Sequence, residues 1–301
     1  MTKRTKRYLF YSALAFFLLL SYVIILYAQG YKYNLSEFQF FRTGTVALKV
    51  NTDAKVFLND ELQGGTSFFN NSYSIDGLLP GTYEIMVQRE GYSQWKKTAI
   101  VEEGFVTDYS NILILPEQGE DEQNLFDEVT LLFKELEPVP TVKITPSPSP
   151  SKNQTVTKNS LKSPSPIPTS LMSPTPDISD EPFLLDNKSG ILYRNSDDQM
   201  EEIAKGVKGF RLSQNSNKIT WWSSNELWVI WLNDQNYQPF YKRGDTELIT
   251  RLQIPIQNGT WFRGEDHIIL ELEQTDSKGR PYSIYRIFEI DKRGGVNVIE
   301  L

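Results

Sequence analysis

Residues 78–92 read LLPGTYEIMVQREGY, and the reading of this stretch decides the fold. Pro80 fixes φ at a first corner and Gly81 takes the second. Tyr83, Ile85 and Val87 then alternate with Thr82, Glu84, Met86 and Gln88 until Gly91-Tyr92 turns the chain again. A period of two between turns predicts a strand with one buried face. Working outward, residues 44–50 and 54–59 alternate in the same way around an Asn51-Thr52-Asp53 turn. Asn59-Asp60-Glu61 and Gly64-Gly65 supply turn chemistry, because positive φ is cheap for Gly, Asn and Asp. Residues 72–75 predict a short strand, residues 95–101 pair back on the central one, and residues 108–115 close the unit before Pro116.

Residues 43–116 resemble the PEGA domain, a small all-β module of prokaryotic surface and envelope proteins. The resemblance is carried by Gly44 before the first strand and by Ala54-Lys55-Val56-Phe57-Leu58-Asn59, where the family shows A-x-V-x-hydrophobic-Asn/Asp. Leu79-Pro80-Gly81-Thr82-Tyr83 stands where it shows L-x-P-G-x-Y/H, and Gly91-Tyr92 ends the central hairpin. The family's naming tetrapeptide is not intact, and Thr66-Ser67 replaces a common Thr-Pro. The resemblance implies a β-sandwich in which Gly44, Ala54, Pro80, Gly81, Tyr83, Gly91 and Tyr92 are structural. It predicts shape rather than activity.

The N-terminus places Lys3, Arg4, Lys6 and Arg7 before an uncharged run, residues 8–28, that begins at Tyr8 and ends at Ala28. At about 1.5 Å rise per residue that run matches a hydrocarbon core roughly 30 Å thick. It is read as an uncleaved transmembrane helix; the alternative is a cleaved signal peptide, against which stand its length and the bulk of Leu26-Tyr27 near the end. The basic cluster orients residues 1–7 to the cytoplasm and the rest outside, as a single-pass cell-membrane protein. Tyr27, Tyr31 and Tyr33 are among its candidate interface anchors. Net charge is −7, and −11 without the four basic residues, so no nucleic-acid partner is expected. Cysteine is absent and histidine occurs once, which removes disulfides, thiolate metal sites and His-rich clusters; no cofactor is expected.

In residues 117–136, Leu125, Phe126, Val129, Leu132, Phe133 and Leu136 recur at helical spacing behind Glu120, Asp121 and Glu122. This predicts an amphipathic helix that packs on the β-unit or, alternatively, forms a self-association seam. Residues 137–182 hold 11 of the 16 prolines and read as a disordered Pro/Ser/Thr-rich linker that keeps two modules apart. Residues 183–301 are strand-rich and hold five of the six tryptophans. Two patterns about 49 residues apart, beginning at Phe210 and at Thr260, resemble TolB-like β-propeller repeats. Residues 213–219, SQNSNKI, stand where that family shows Ser-Pro-Asp-Gly-Lys-x-Ile. About two and a half blades fall short of a closed ring, so this part is expected to be an incomplete antiparallel domain, completed by another chain or sandwich-like.

Few residues point to chemistry. His267 follows Glu265-Asp266 and could act as a base, yet no G-x-S-x-G elbow accompanies it, and it reads as a strand-edge residue beside a turn. The acidic groups show no D-x-[DN]-x-[DN]-G calcium loop. Gly279-Arg280-Pro281 and Lys292-Arg293-Gly294-Gly295 read as hairpin turns without phosphate-loop spacing. The apolar run around Trp228 and Trp231 predicts a strand buried on both faces, whereas Trp222 and Trp261, at strand ends, are the candidate ligand contacts. The expectation is a mainly β, non-catalytic, membrane-anchored protein serving envelope architecture or binding an envelope protein, with self-association possible through the C-terminal domain. The alternatives are a sensor of cell-wall glycan or peptide acting with a membrane partner and, behind it, an envelope hydrolase.

Overall fold

The computed structural model describes residues 3–35, 37–136, 141–142, 182–196 and 199–301. Helix α1 (Lys3–Ala28) has a mean hydropathy of 2.4 across its most apolar window, and none of its residues is buried. It is long and apolar enough to cross a membrane, as an anchor or a signal sequence would be. Gly30, at φ +85°, reverses the chain into a hairpin of β1 (Tyr31–Asn34) and β2 (Gln39–Arg42). Its return is fastened to its start: Thr43 N donates to Gly30 O at 2.8 Å, and so does the Thr43 hydroxyl.

A two-sheet sandwich follows. Its strands are β3 (Gly44–Val50), β4 (Lys55–Leu58), β5 (Glu61–Gly65), β6 (Ser72–Leu78), β7 (Gly81–Gln88), β8 (Trp95–Val101) and β9 (Val106–Ile112). One sheet has the order β6-β3-β9, with β3 and β9 parallel, and the other the order β5-β4-β7-β8. Between them lie Val46, Leu48, Val56, Ile85, Val87 and Trp95. Strands β3 and β8 bury every second residue, as the alternation requires.

The turn chemistry needs correction at two places. Positive φ falls on Asn59 and Asp60, but Gly64 and Gly65 belong to β5 rather than to a turn. Gly64 is instead a place of close approach, since a Cβ there would meet the Tyr73 hydroxyl at 2.8 Å. Likewise Gly81 begins β7 without positive φ, and the nearby left-handed residue is Gly77, at +71° inside β6, where the register with β3 shifts. The Tyr83 hydroxyl donates to Leu79 O at 2.9 Å and holds the corner closed. Gly44 is required for room: a Cβ there would stand 2.5 Å from the Val101 side chain and 2.6 Å from Glu102 O. Ala54 is buried and exchanges hydrogen bonds with Thr66, Gly91 takes φ +77°, and Tyr92 bridges to Pro116.

Helix α2 (Gly119–Glu135) buries Leu125 and Val129. They pack with Leu113, Leu115, Phe262, Ile269 and Ile287, which answers the choice between packing and a free seam in favour of packing within the chain. The remaining strands are β10 (Thr141–Val142), β11 (Phe183–Asp186), β12 (Ile191–Ser196), β13 (Gln199–Lys205), β14 (Gly209–Leu212), β15 (Lys218–Trp222), β16 (Glu226–Trp231), β17 (Thr246–Arg251), β18 (Ile256–Trp261), β19 (His267–Thr275), β20 (Pro281–Glu289) and β21 (Val298–Glu300). They form three four-stranded sheets whose strands follow chain order, β10 to β13, β14 to β17 and β18 to β21. Lys218 and His267 open β15 and β19, the second strands of their sheets. In residues 213–219, Ser216 takes φ +59°.

The expected domain boundary moves. The described residues of 1–136 and 210–301 form one compact unit and those of 137–209 another, so residues 183–301 are divided between the two. The proline-rich run lies outside the described residues except for Thr141, Val142 and Pro182. Its two ends nevertheless meet, because Thr141 pairs with Leu185 and Val142 with Asp186 in a parallel register. Residues 210–301 are not held away from the sandwich, since Glu289 meets Lys97 and Arg293 meets Asp108 O.

Candidate functional site

Residues 210–301 meet the sandwich along β8, and there the chain buries a cluster of polar side chains. Lys97 shares the inward face of β8 with Trp95, Ala99 and Val101 and is 1 % exposed. Buried lysines occur almost only with partners. Its Nζ lies 3.1 Å from Glu289 Oε2 and donates to Asp291 O. Glu289, 5 % exposed on β20, also accepts from Trp95 Nε1 at 3.1 Å and from Asn297 Nδ2 at 2.9 Å. Burial pushes its carboxyl upward, while Lys97 and Asn297 hold it down. Three donors on one oxygen suit the ionised form.

Beside the cluster Arg293 donates to Asp108 O at 2.6 Å and to Gln238 Oε1 at 2.8 Å, with its guanidinium 4.5 Å from the centre of the Tyr109 ring. Burial pushes the Tyr109 phenol up to about 12. Gln238 completes the edge of β9 as a neighbouring strand would: its Nε2 donates to Val106 O at 2.8 Å and its Oε1 accepts from Asp108 N at 3.0 Å. Gly294, at φ +68°, lies directly on the Thr98 backbone, leaving no space for a side chain. Lys97, Glu289 and Trp95 are sealed from solvent and join two parts of the chain, whereas Tyr109, Gln238, Arg293 and Gly294 also face an open groove.

An open groove adjoins this junction. It has a volume of about 540 Å³ and lies between Ile100, Phe105 and Val106 on one side and Pro239, Phe240 and Gly294 on the other. Its walls are mainly apolar, and it is the candidate binding surface of this unit.

The tryptophans chosen as ligand contacts sit elsewhere. Trp222 is 2 % exposed and packs with Leu227, Val229 and Ile268; Gly259 leaves room for its ring. That corrects the ligand-contact reading, since a ligand in solution does not reach it. Trp261 is half-buried against the same core, and its Nε1 donates to Arg211 O at 3.1 Å. The two rings do not form an aromatic groove. Trp221 and Trp228 stack at 5.3 Å with planes 1° apart, as a packing pair. Among the described residues, no group of three His, Asp or Glu is arranged to hold a metal.

His267 opens an interior strand beside the turn at residues 263–266, not an edge strand. It is 6 % exposed. Burial, and then Lys97 and Lys218, lower its pKa to about 3. Lys218 itself is buried, with Nζ 3.0 Å from Asp266 Oδ1 and 3.1 Å from Glu265 O. The imidazole is thus neutral in the fold at every physiological pH. A depressed histidine pKa makes the unfolded chain bind the extra proton below 6.5, so stability falls as pH drops from about 6.5 toward 3. Relative to His267→Gln, the wild-type chain is expected to lose about 1.4 kcal/mol of unfolding free energy per pH unit in that window. Denaturant unfolding of both proteins at pH 7, 6 and 5 checks this, and parallel pH profiles would contradict it. The comparison cancels the opposing contribution of Glu289, whose raised pKa favours the fold on acidification.

No protein-family model, no curated protein and no solved structure matches the chain.

Proposed function

We propose that the chain is a non-catalytic, membrane-anchored scaffold of the cell envelope. In this reading α1 spans the membrane with its basic end in the cytoplasm, a PEGA-like sandwich stands directly outside, and the four-stranded sheets are propeller-blade-like units that bind an envelope protein or build envelope structure. The observation that carries it is α1: 26 residues, apolar and unburied, joined without slack through Gly30 and Thr43 to the first sandwich strand. A helix with no protein to cover its apolar surface needs lipid. Two successive four-stranded sheets in chain order, β14 to β17 and β18 to β21, support the blade reading.

Trp222 is in the core and His267 is buried and held neutral, so a sensor would have to rely on Trp261 and a hydrolase on other residues. Self-association through the C-terminal sheets stays within the proposal. Topology is the test. Protease added to intact cells is expected to degrade a C-terminally tagged chain and spare an N-terminal tag, whereas a protected C-terminus or a chain recovered in the soluble cytosol would overturn the reading.

A further inference from the structure

Resting on the reading of α1 as a membrane anchor, we infer that the apolar rim of Ile100, Phe105, Val106 and Phe240 lies on the outer leaflet of the bilayer that α1 crosses. The first support is the missing tether. Thr43 returns to hydrogen-bond Gly30, two residues past the end of α1, so β3 begins at the level where the helix leaves the lipid. The second is where the rim sits on the sandwich. Phe105 O accepts from Thr45 N at 3.0 Å, which puts the loop at residues 102–105 beside the start of β3. Gln238, through its bonds to Val106 O and Asp108 N, holds the loop bearing Phe240 at the same end.

Third, the rim is dressed for an interface. Ile100 is 65 %, Phe105 64 %, Val106 50 % and Phe240 68 % exposed, gathered around one groove. Such a cluster of exposed apolar side chains marks a contact surface. The neighbouring hairpin supplies aromatic and basic residues, Tyr31, Lys32, Tyr33 and Arg42, in the composition that settles at a headgroup layer. Phe68 and Phe69 are more exposed, at 91 % and 96 %, yet they lie at the other end. Their loop adjoins Val50, whose N–H donates to Asn71 O, roughly 20 Å from Gly44 at about 3.3 Å per residue. The lipid is therefore within reach of one apolar cluster and not of the other.

The absence of cysteine makes the test clean. Full-length chains carrying Phe105→Cys, Phe240→Cys, Phe68→Cys or Tyr22→Cys, each labelled with an environment-sensitive fluorophore, are reconstituted in phosphatidylcholine vesicles with or without lipids spin-labelled near the headgroup. The expected result is a blue shift and about twofold quenching at positions 22, 105 and 240, with position 68 unchanged. Quenching at 22 with solvent-exposed spectra at 105 and 240 would overturn the inference and leave the anchor standing. A blue shift at 105 and 240 without lipid quenching would assign the rim to protein contact, also against it. No quenching at 22 would remove the anchor and this inference together. Two independent rim positions guard against one variant that fails to fold.

Discussion

Replacing Lys97 by Met is expected to lower the unfolding free energy of the full-length protein in detergent by about 3–5 kcal/mol, because it leaves the Glu289 carboxylate buried without its cation. The side chains have similar length, so a cavity accounts for little of the loss. The penalty lies with Glu289, which still receives Trp95 Nε1 and Asn297 Nδ2 but keeps an uncompensated charge. Lys97→Met combined with Glu289→Gln is accordingly expected to recover more than half of the loss, since the amide oxygen can accept from Trp95 and Asn297 without carrying charge. A loss below about 1 kcal/mol for Lys97→Met in chemical denaturation would mean that the pair is solvated and the junction open.

Gly294→Val carries the second large effect, about 3 kcal/mol or more. Two causes act together. The residue holds φ +68°, which a β-branched side chain resists, and its Cβ would overlap the backbone of Thr98 rather than a side chain able to rotate away. The turn at residues 292–295 must then withdraw from β8, taking Arg293 from Asp108 and Gln238. Gly295→Ala separates the causes, because nothing lies within 4 Å of its Cβ and only its φ of +114° is unfavourable. A loss of about 1–2 kcal/mol is expected there. Equal melting shifts for the two variants would show that the close approach to Thr98 does not exist.

Local pattern made much of this fold legible. The alternation in residues 44–50 and 95–101 coincides with β3 and β8, and the helical spacing from Leu125 onward with α2. The apolar run around Trp228 and Trp231 coincides with β16, because such a run between turn signals has few other solutions. What stayed hidden depends on partners distant in the chain. Gly64 and Gly65 carry turn chemistry, but the Tyr73 ring lies over Gly64, and the pair serves as strand. Trp222 looked like a strand-end ring open to ligand until Gly259 and Ile268 of the next sheet closed over it. The same holds for Lys97. As the one charged inward position of β8 it carried a signal, a lysine where the alternation demands an apolar residue, and that mismatch could have flagged the junction. Its acceptor, Glu289, lies on β20, and no local rule connects the two.

The proline-rich run misled for a related reason. Composition tells that such a segment builds no core, but it does not tell where its ends go. Here Thr141 and Val142 lie against Leu185 and Asp186, while residues 210–301 sit against the sandwich through Lys97, Gly294 and α2. In the proposed reading, the surfaces open to a partner then include this junction, not only a module on a long tether.

Cutting the chain tests that account most directly. A site for a sequence-specific protease is placed between Asn159 and Ser160 of the full-length, C-terminally tagged protein, which is then cleaved in membranes and washed. Residues 210–301, held to the anchored sandwich by the Lys97–Glu289 cluster and the α2 layer, are expected to stay in the membrane fraction after complete cleavage and to be released only by denaturant. Release of the tagged fragment into the supernatant by a simple wash, with the uncut protein still sedimenting, would contradict it.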